Sequence, residues 1–583
     1  MGLPDARPEG RVAALSAGRL DRGFYQNLPS FTLVTTWLTS DLVHSCESWL
    51  KSRGGIRRGA EVLMTTRRAV LKGAVSSTVW GLASWEASAQ SAGRFIFANT
   101  AAYDNLDPHT VFDVSRAATR LNLYDGLYRW VDNPPKMIPW LAESHTVSED
   151  GRVYSFKLRS NARFHDGKPV TADDVVYSIE RIIALRKGPA SYYLDVIKPG
   201  STQALDPTTV VFNLVQPYAI FLATLPDILI VNSVLVKANE KDGDWGEAWL
   251  ARNEAGSGSY ALRRHDPAVG WIARRFTDHF AGWSGQPIEE IEFRTVLDMS
   301  TRVLGLIRGD FHAADGYLPH DQIERLRRSS NVQIIEQEAM RVFGLALNNR
   351  KPLMNNVHFR RAIAHAFDYD GFIKNILKDS VSRNPGPNPN TIWGSPSGLK
   401  GYDYDLDKAR EELAKVGDPL RVIGINAIAG YSDSEQAAIL LQNALRQIGV
   451  EAAVELSPWS VVLSRMSKPD TRPDIIPVWR SSFYIDPNNW VGELFGARYH
   501  DSRSFSYYSN PEFERRLDRA LISRDHEERR RLYEEMTQMV MDDAASIFIY
   551  NTRWYGPYSR KVKDIRFSPV NHGQDMRWVS MSR

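Results

Sequence analysis

The sequence predicts a mixed α/β protein with more than one domain, and three observations support this fold class. The chain has 583 residues, enough for two to four domains with their own hydrophobic cores. Hydrophobic residues make up 43% of it and charged residues 24%, proportions typical of globular proteins. From Arg94 onward, segments with the two-residue period of strands alternate with segments that have the helical period, and neither type dominates.

The first predicted elements follow from this periodicity. Segments with one apolar and one polar face predict strands at 153–159, 210–214 and 291–296. A helix is predicted at 171–183, where Thr171 begins the helix and Asp174, three residues later, completes a pattern like a capping box. A second helix is predicted at 511–521, because its apolar residues share one face.

The segment 405–480 gives the clearest alternation of helix and strand. It predicts a helix with Asp405 as N-cap that ends at Gly417, and then, in order, a strand at 420–427, a helix at 434–448, and strands at 450–456 and 474–479. A β-α-β order of this kind predicts a lobe with partly parallel strands. Binding sites in such lobes lie at the carboxyl ends of the strands.

The charge distribution argues against a nucleic-acid partner. Residues 1–89 hold 11 of the 72 Lys and Arg residues and 7 of the 69 Asp and Glu residues, which leaves 61 basic and 62 acidic residues in the rest. A nearly neutral body lacks the basic footprint of nucleic-acid binding. The only cysteine, Cys46, also lies in the first 89 residues, so the body can form no disulfide and is compatible with an oxidising compartment.

Residues 64–89 have the order of an export signal. Paired arginines, Arg67 and Arg68, precede the weakly apolar run 73–85 and the small residues Ala87-Ser88-Ala89. This pattern resembles a twin-arginine signal, and the apolar run is too short to span a bilayer as a helix. We expect translation to start at Met64, with residues 1–63 a non-translated or unstructured extension, and cleavage after about Ala89 to release the body into the periplasm.

Several motifs in the body resemble those of the family 5 extracellular solute-binding proteins, the dipeptide- and oligopeptide-type receptors of ABC importers. The longest is the run 123–182, which begins LYDGLYRWVD and ends ADDVVYSIERI. Further matches follow in family order: GSGSY from Gly256, LALNNRKPLMNNVHFRRAIAHAFDYDGFI from Leu345, YDYDLDKAREELAKVG from Tyr402, WRSSFYIDPNNW from Trp479, and YSNPEFERRLDRAL from Tyr508. Together they cover about 94–572.

The resemblance implies a bilobal periplasmic-binding-protein fold with an extra family-specific domain and lobes joined by crossing strands. Lobe I would comprise 94–140, 253–350 and 548–583, the extra domain 141–252, and lobe II 351–547. The apolar run 341–345 would lie in a crossing strand. The implied function is capture of a peptide or peptide-like solute between the lobes and delivery to an inner-membrane ABC permease, by a monomer that uses no cofactor or metal.

The resemblance also implies where a peptide's amino terminus would bind, and this sequence departs from the family there. In peptide-binding members an acidic residue near the tryptophan-containing strand receives the ammonium group. Alignment on Asp486-Pro487 places Phe483, or Ser482 with a shift, at that position, and neither can neutralise an ammonium group. Asp486 could substitute only if the loop is built differently; the other interpretation is a turn or N-cap before Pro487.

The candidate ligand-binding residues come from three matched segments. The loop NLDPHTVFDV resembles a ligand-lining loop of the family and places Phe112 where peptide receptors can have an acidic group. The candidates for the cleft wall are Phe112, Val114, Phe343, Trp479, Tyr484 and Asp486. Aromatic rings there could stack on flat or apolar parts of a ligand. The alternative for each residue is a place in the core of a lobe.

The sequence leaves two other classes of function open. An enzyme is disfavoured because the sequence has no phosphate-binding loop and no GxSxG motif, and the HExxH-like start at His526 fails at Arg530. A receptor for a non-peptide solute, such as a metal complex, haem or another small molecule, is compatible with the same fold. However, the thirteen histidines are scattered, and His358 and His365, two turns apart on one helical face, lack a cysteine or a flanking carboxylate pair.

Overall fold

The computed structural model describes residues 94–110, 112–417, 421–466, 470–500, 502–504, 506–570 and 573–582. They all belong to one compact unit, Gln90–Arg583. The predicted extension 1–63, the predicted signal 64–89 and its cleavage site lie outside the described residues.

The strands of the described residues are numbered in chain order. They are β1 (Arg94–Asn99), β2 (Tyr128–Val131), β3 (Lys136–Pro139), β4 (Ala142–Val147), β5 (Val153–Leu158), β6 (Thr202–Asp206), β7 (Thr209–Asn213), β8 (Tyr260–Asp266), β9 (Gly270–Arg275), β10 (Glu290–Thr295), β11 (Ala313–Ala314), β12 (Val332–Leu347), β13 (Ser382–Arg383), β14 (Ile423–Ile428), β15 (Ala452–Ser457), β16 (Ile475–Arg480), β17 (Ser546–Ser559), β18 (Val562–Lys563) and β19 (Ser580–Met581).

The described helices of six or more residues are numbered in the same way. They are α1 (Ala117–Leu123), α2 (Ala172–Leu185), α3 (Ser233–Ala238), α4 (Met299–Arg308), α5 (His320–Arg327), α6 (Val357–Ala366), α7 (Leu406–Ala414), α8 (Ser432–Gln447), α9 (Trp459–Met466), α10 (Pro511–Ile522) and α11 (His526–Asp542). Within the part of the chain that the structure describes, no helix is both long and apolar enough to cross a membrane.

One large sheet runs through most of the protein. Its strand order is β15-β14-β16-β12-β17-β11-β1-β10-β9-β8, and β13 pairs with β17 outside this path. Strand β14 pairs in parallel with both β15 and β16, so the prediction of a lobe with partly parallel strands is confirmed. At the other end of the sheet, β1 lies in parallel between β10 and β11.

Strands β12 and β17 join the two lobes. Their antiparallel pairing extends from Val332 opposite Ser559 to Ala346 opposite Ser546. Val332 packs in a core with residues of β1, α4 and α5, which is the lobe I side. Leu345 packs in a different core with residues of β14 and α8, which is the lobe II side. The predicted crossing strand 341–345 lies within β12, and the fold is bilobal.

The segment between lobe I elements carries a separate antiparallel sheet of order β4-β5-β7-β6. Helix α2 begins with the expected capping box, because the Thr171 backbone N–H donates to the Asp174 carboxylate at 3.0 Å. The core of this region is continuous with residues of α10 and α11. The Ala219 N–H, in the loop after β7, also donates to the Leu521 carbonyl of α10 at 2.8 Å, so this region packs against helices of lobe II. The boundaries predicted for the lobes and the extra domain stay predictions.

Candidate ligand-binding cleft

A cavity lies where β12 and β17 pass from one lobe to the other. Its lining includes residues of lobe I, of both crossing strands and of lobe II. These include Asp315, Tyr317, Arg341, Tyr431, Asp433, Trp479, Tyr550, Thr552 and Arg553. A cavity lined from both lobes and from the strands between them is placed to change shape when the lobes move.

A second, adjoining cavity extends the first toward the front loop of lobe I. It shares Tyr317, Arg341, Tyr431 and Trp479 with the first cavity and adds Asp113, Val114, Trp459 and Ser481 among its lining residues. The Trp459 indole N–H donates to the Asp113 carboxylate at 2.9 Å. Because Asp113 belongs to the lobe I side and Trp459 begins α9 of lobe II, this hydrogen bond holds the two lobes together across the cleft.

A bulge in β12 places one arginine at the centre of the two cavities. The pairing with β17 jumps from Glu338 opposite Arg553 to Val342 opposite Asn551, so three residues, 339–341, lie opposite Thr552 alone. Bulges bend a strand and redirect its side chains, and they are common beside binding sites. Arg341 is the last residue of this bulge, and it lines both cavities.

Aromatic rings from both lobes surround the Arg341 guanidinium. Its carbon lies 5.0 Å from the centre of the Tyr317 ring and 5.1 Å from the Trp479 ring. The Tyr317 ring contacts the Tyr431 ring at a centroid distance of 4.7 Å. A cation at this distance from aromatic faces is attracted by the negative charge of the ring centres. The rings therefore fix the position of the guanidinium.

Arg341 has no counter-ion in the described part of the chain. Arg341 is only 9% exposed to solvent. No described carboxylate lies within 4.0 Å of the guanidinium, and the buried Nε has no hydrogen-bond partner. A buried charge without a partner is costly unless a ligand or water supplies the missing contacts. The cleft thus presents an unpaired cation.

Asp433 presents the opposite charge to the same cavity. It lies in the first turn of α8, and the Tyr550 hydroxyl donates to its Oδ2 at 2.5 Å. No described Lys, Arg or His lies within 4.0 Å of this half-buried carboxylate. Burial raises the pKa of Asp433, while the Tyr550 hydroxyl and the nearby charge of Arg341 act to lower the pKa.

Two other charged side chains in the lining of the first cavity, Arg553 and Asp315, already have partners. Arg553 forms ion pairs with Glu336 at 2.8 Å and Glu338 at 3.1 Å. Asp315 accepts a hydrogen bond from the Thr100 N–H and lies 3.9 Å from Arg302. The contrast singles out Arg341 and Asp433 as groups with unused charge.

Two of the six predicted wall residues line these cavities. Trp479 lines both of them, and Val114 lines the adjoining one. Phe112 instead stacks on Phe483 with ring centres 4.3 Å apart. Phe483 is one of the two residues that align with the family's amine-binding acidic residue, and its ring is occupied by this contact. At the other aligned position, the Ser482 hydroxyl donates to the Pro569 carbonyl at 2.7 Å.

The remaining three predicted residues contact the protein's own core. Phe343 packs in the lobe II core with its ring 4.9 Å from the Tyr550 ring. The buried Tyr484 donates a hydrogen bond to Glu493. The Asp486 carboxylate accepts from the Asn488 N–H at 3.0 Å and forms an ion pair with Arg529 at 2.9 Å. Asp486 therefore has the N-cap role that was the alternative interpretation.

Sequence reasoning missed Arg341, Asp433 and Tyr317 as cleft residues. One signal was present for Arg341, because a charged residue directly precedes the apolar run VFGLAL of the predicted crossing strand. Asp433 gave no such signal, because it lies in the first turn of a helix, where acidic residues are common since they stabilise the helix. Among the described residues, no group of three or more His, Cys, Asp or Glu side chains could hold a metal ion.

The comparison with known families decides the class of the protein. Residues 136–500 match the bacterial extracellular solute-binding proteins, family 5. The chain belongs to this family. Its members are solute-binding proteins rather than enzymes, and the bilobal fold with a cavity between the lobes agrees with that class.

Two curated proteins and one solved structure illustrate the similarity. The chain is 32% identical over 442 residues to a probable D,D-dipeptide-binding periplasmic protein of Escherichia coli K12, covering 74% of this chain and 82% of that protein. It is 26% identical to heme-binding protein A of Haemophilus influenzae, covering 85% and 94%. A periplasmic binding protein of Helicobacter pylori in complex with the peptide STSA superposes with a TM-score of 0.78 at 26% identity, covering 85% and 100%.

Proposed function

We propose that this protein is the periplasmic substrate-binding component of an ABC importer that captures a peptide or peptide-like solute between its two lobes. The observation that carries the proposal is the cavity at the crossing strands, lined from both lobes, in a chain of the family 5 solute-binding proteins. The similarity to a dipeptide-binding protein and to a peptide complex favours a short peptide.

The mechanism is binding coupled to closure. A ligand that contacts both lobes favours the closed arrangement by its differential affinity for that state. The hydrogen bond from Trp459 to Asp113 and the stacking of Phe112 on Phe483 would both break on opening. The closed form then docks on a membrane permease, which drives import and releases the ligand. The binding protein itself performs no covalent chemistry.

Export and domain boundaries complete the proposal. Residues 64–89 act as a twin-arginine signal that is cleaved after about Ala89, and the product works as a monomer in the periplasm. Lobe I comprises 94–140, 253–350 and 548–583, the extra domain 141–252, and lobe II 351–547. The separate sheet β4-β5-β7-β6 supports the extra domain, because its strands lie within 142–213.

The first test is mass spectrometry of the protein recovered from the periplasm after expression with its own residues 64–89. The denatured mass reports signal cleavage, and the difference from the native mass reports a retained ligand. A ligand of peptide composition supports the proposal. The empty protein is then titrated calorimetrically with D-alanyl-D-alanine, L-alanyl-L-alanine and methionyl-leucine. A retained non-peptide ligand together with no heat from these peptides would contradict it.

A further inference from the structure

The cleft holds one unpaired cation and one unpaired carboxylate on different structural elements. Arg341 projects from the bulge of the crossing strand β12, and Asp433 lies at the start of α8 in lobe II. They line the same cavity, yet they do not approach each other within 4.0 Å. A gap between opposite charges that have no other charged partner leaves room for a ligand group at each of them.

We propose that Arg341 binds the carboxylate of a zwitterionic ligand and that Asp433 binds the ligand's ammonium group. This assignment rests on the proposed function and names the charges that its ligand must carry. A guanidinium is planar and can donate two parallel N–H hydrogen bonds to the two oxygens of a carboxylate. In Arg341 the Nε–H has no hydrogen-bond partner in the protein and is available for such a contact.

Asp433 has a carboxylate oxygen available to bind the ligand's ammonium group. The Tyr550 hydroxyl occupies one carboxylate oxygen, while no described residue donates a hydrogen bond to the other oxygen. The first turn of α8 also places backbone N–H dipoles beside the carboxylate, which favours its charged form. An ammonium group can therefore bind the free oxygen without displacing a protein partner.

The assignment explains how a peptide receptor can lack the acidic residue expected near the tryptophan-containing strand. The aligned positions are occupied by Ser482 and Phe483, whose side chains contact Pro569 and Phe112 across the lobes. Asp486 is engaged by Arg529. The negative charge in the cleft comes instead from the element that follows β14, so the ligand would lie between α8 and the crossing strand.

The test is a set of calorimetric titrations of the full chain with probes that differ in one charge. The probes are alanine di- and tripeptides in D and L forms, their N-acetyl and C-terminal amide derivatives, and ε-aminocaproate as a zwitterion that is not a peptide. We expect each blocked form to bind about tenfold to a hundredfold more weakly than its parent, because each loses one charge-assisted contact.

Substitutions then assign each loss to a residue. In Arg341→Gln the difference between a peptide and its amide disappears, while the penalty for N-acetylation remains. In Asp433→Asn the difference between a peptide and its N-acetyl form disappears, while the penalty for the amide remains. Arg308→Gln and Asp370→Asn, which replace exposed residues on α4 and near α6, serve as matched controls and leave all the ratios unchanged.

Each outcome distinguishes this inference from the proposed function. Peptides that bind equally well with and without a blocked terminus, or variants that weaken all probes equally, overturn the charge assignment but leave peptide capture intact. Binding of ε-aminocaproate alone, with the same loss in both variants, supports the assignment and contradicts peptide capture. Failure of every zwitterionic probe to bind overturns the assignment. Thermal unfolding of each variant checks that the fold is retained.

Discussion

Arg181 and Arg341 are both buried arginines, but they have opposite surroundings. Arg181 on α2 is fully buried and forms two hydrogen bonds with Asp107, at 2.9 and 2.6 Å, and a third with the Trp245 carbonyl at 2.7 Å. Arg341 has aromatic rings around it and no carboxylate within 4.0 Å. The first cation is neutralised inside the protein, and the second is not.

The difference shows which buried charges stabilise the fold and which are held for a ligand. The Arg181 charge is compensated before any ligand arrives. Burial, together with the charge of Arg181, lowers the pKa of the neighbouring His109. The charge of Arg341 is desolvated with no described carboxylate within 4.0 Å, which costs folding energy. A ligand carboxylate would compensate this buried charge, and the free energy gained in this way would add to the affinity for the ligand. Four experiments test this contrast between the two arginines.

The largest effect is expected from Asp107→Ala, which leaves the Arg181 charge buried without its partner. The free energy of unfolding should fall by about 3–5 kcal/mol, the usual cost of breaking a buried pair from one side. Urea denaturation of the empty protein measures it. The control Asp310→Asn breaks an exposed pair with Arg308 and should leave the denaturation midpoint unchanged. An equal midpoint for Asp107→Ala would contradict the structural role of this pair.

The second effect concerns Glu493, a fully buried carboxylate whose ionised form is unfavourable although Arg503 lies close to it. Burial raises its pKa to about 7, although Arg503 at 2.9 Å acts to lower it. Between the unfolded pKa near 4.5 and about 7, the folded protein keeps a proton that the unfolded chain has released. Stability should therefore fall as pH rises through this window, by about 3 kcal/mol in total.

The comparison with Glu493→Gln isolates this contribution. The variant cannot titrate at that position, so wild-type stability relative to the variant should decrease from pH 5 to pH 7 and then level off. Denaturation at several pH values gives the difference curve, in which the other titrating groups largely cancel. A flat difference across the window would show that Glu493 is already ionised in the folded protein.

A smaller effect is expected from Trp459→Phe, which removes the hydrogen bond to Asp113 between the lobes. The closed arrangement should lose about 1 kcal/mol, the typical net contribution of one hydrogen bond. Small-angle X-ray scattering should then show a larger radius of gyration without ligand and the wild-type value with saturating ligand. Trp393→Phe, which alters a tryptophan whose ring lies tilted against the His526 ring outside the cleft, is the control. The same radius for all three proteins would argue against this contact as a latch.

The smallest effect on stability is expected from Arg341→Met in the empty protein. Replacing a buried charge that has no close counter-ion by an apolar side chain of similar length should change the free energy of unfolding by less than about 1 kcal/mol, or raise it. Parallel denaturation of wild type and variant provides the measurement. A loss as large as that of Asp107→Ala would mean that Arg341 supports the fold, and the contrast between the two arginines would fail.

Local elements were predicted well from the sequence because their signals are short-range. Asp405 precedes α7 as its N-cap and accepts from the N–H groups of Asp407 and Lys408 at 3.1 and 3.0 Å. The strand predicted at 474–479 forms as Ile475–Arg480. These features depend on a few neighbouring residues, so they can be read from the order of apolar and capping residues.

The candidate site was predicted only in part, because its partners are distant in sequence. Trp479 could be proposed from its motif, and it lines the cleft. The partner of Asp486 is Arg529, 43 residues further along the chain, and no local pattern indicates that pair. The bulge that directs Arg341 into the cavity likewise depends on the pairing register with β17, more than 200 residues away.

The order of residue types along the chain was enough to predict the family, the alternation of strands and helices, the crossing strand and the absence of an acidic residue at the aligned position. All of these depend on residue type and local order. Which buried charges are neutralised could be read only from the three-dimensional arrangement of the side chains. The side chains of Asp107 and Arg181 meet across 74 residues, while Arg341 and Asp433 keep their charges for the cleft. Compensation of charge in a protein interior is a property of spatial neighbours, and folding alone brings them together.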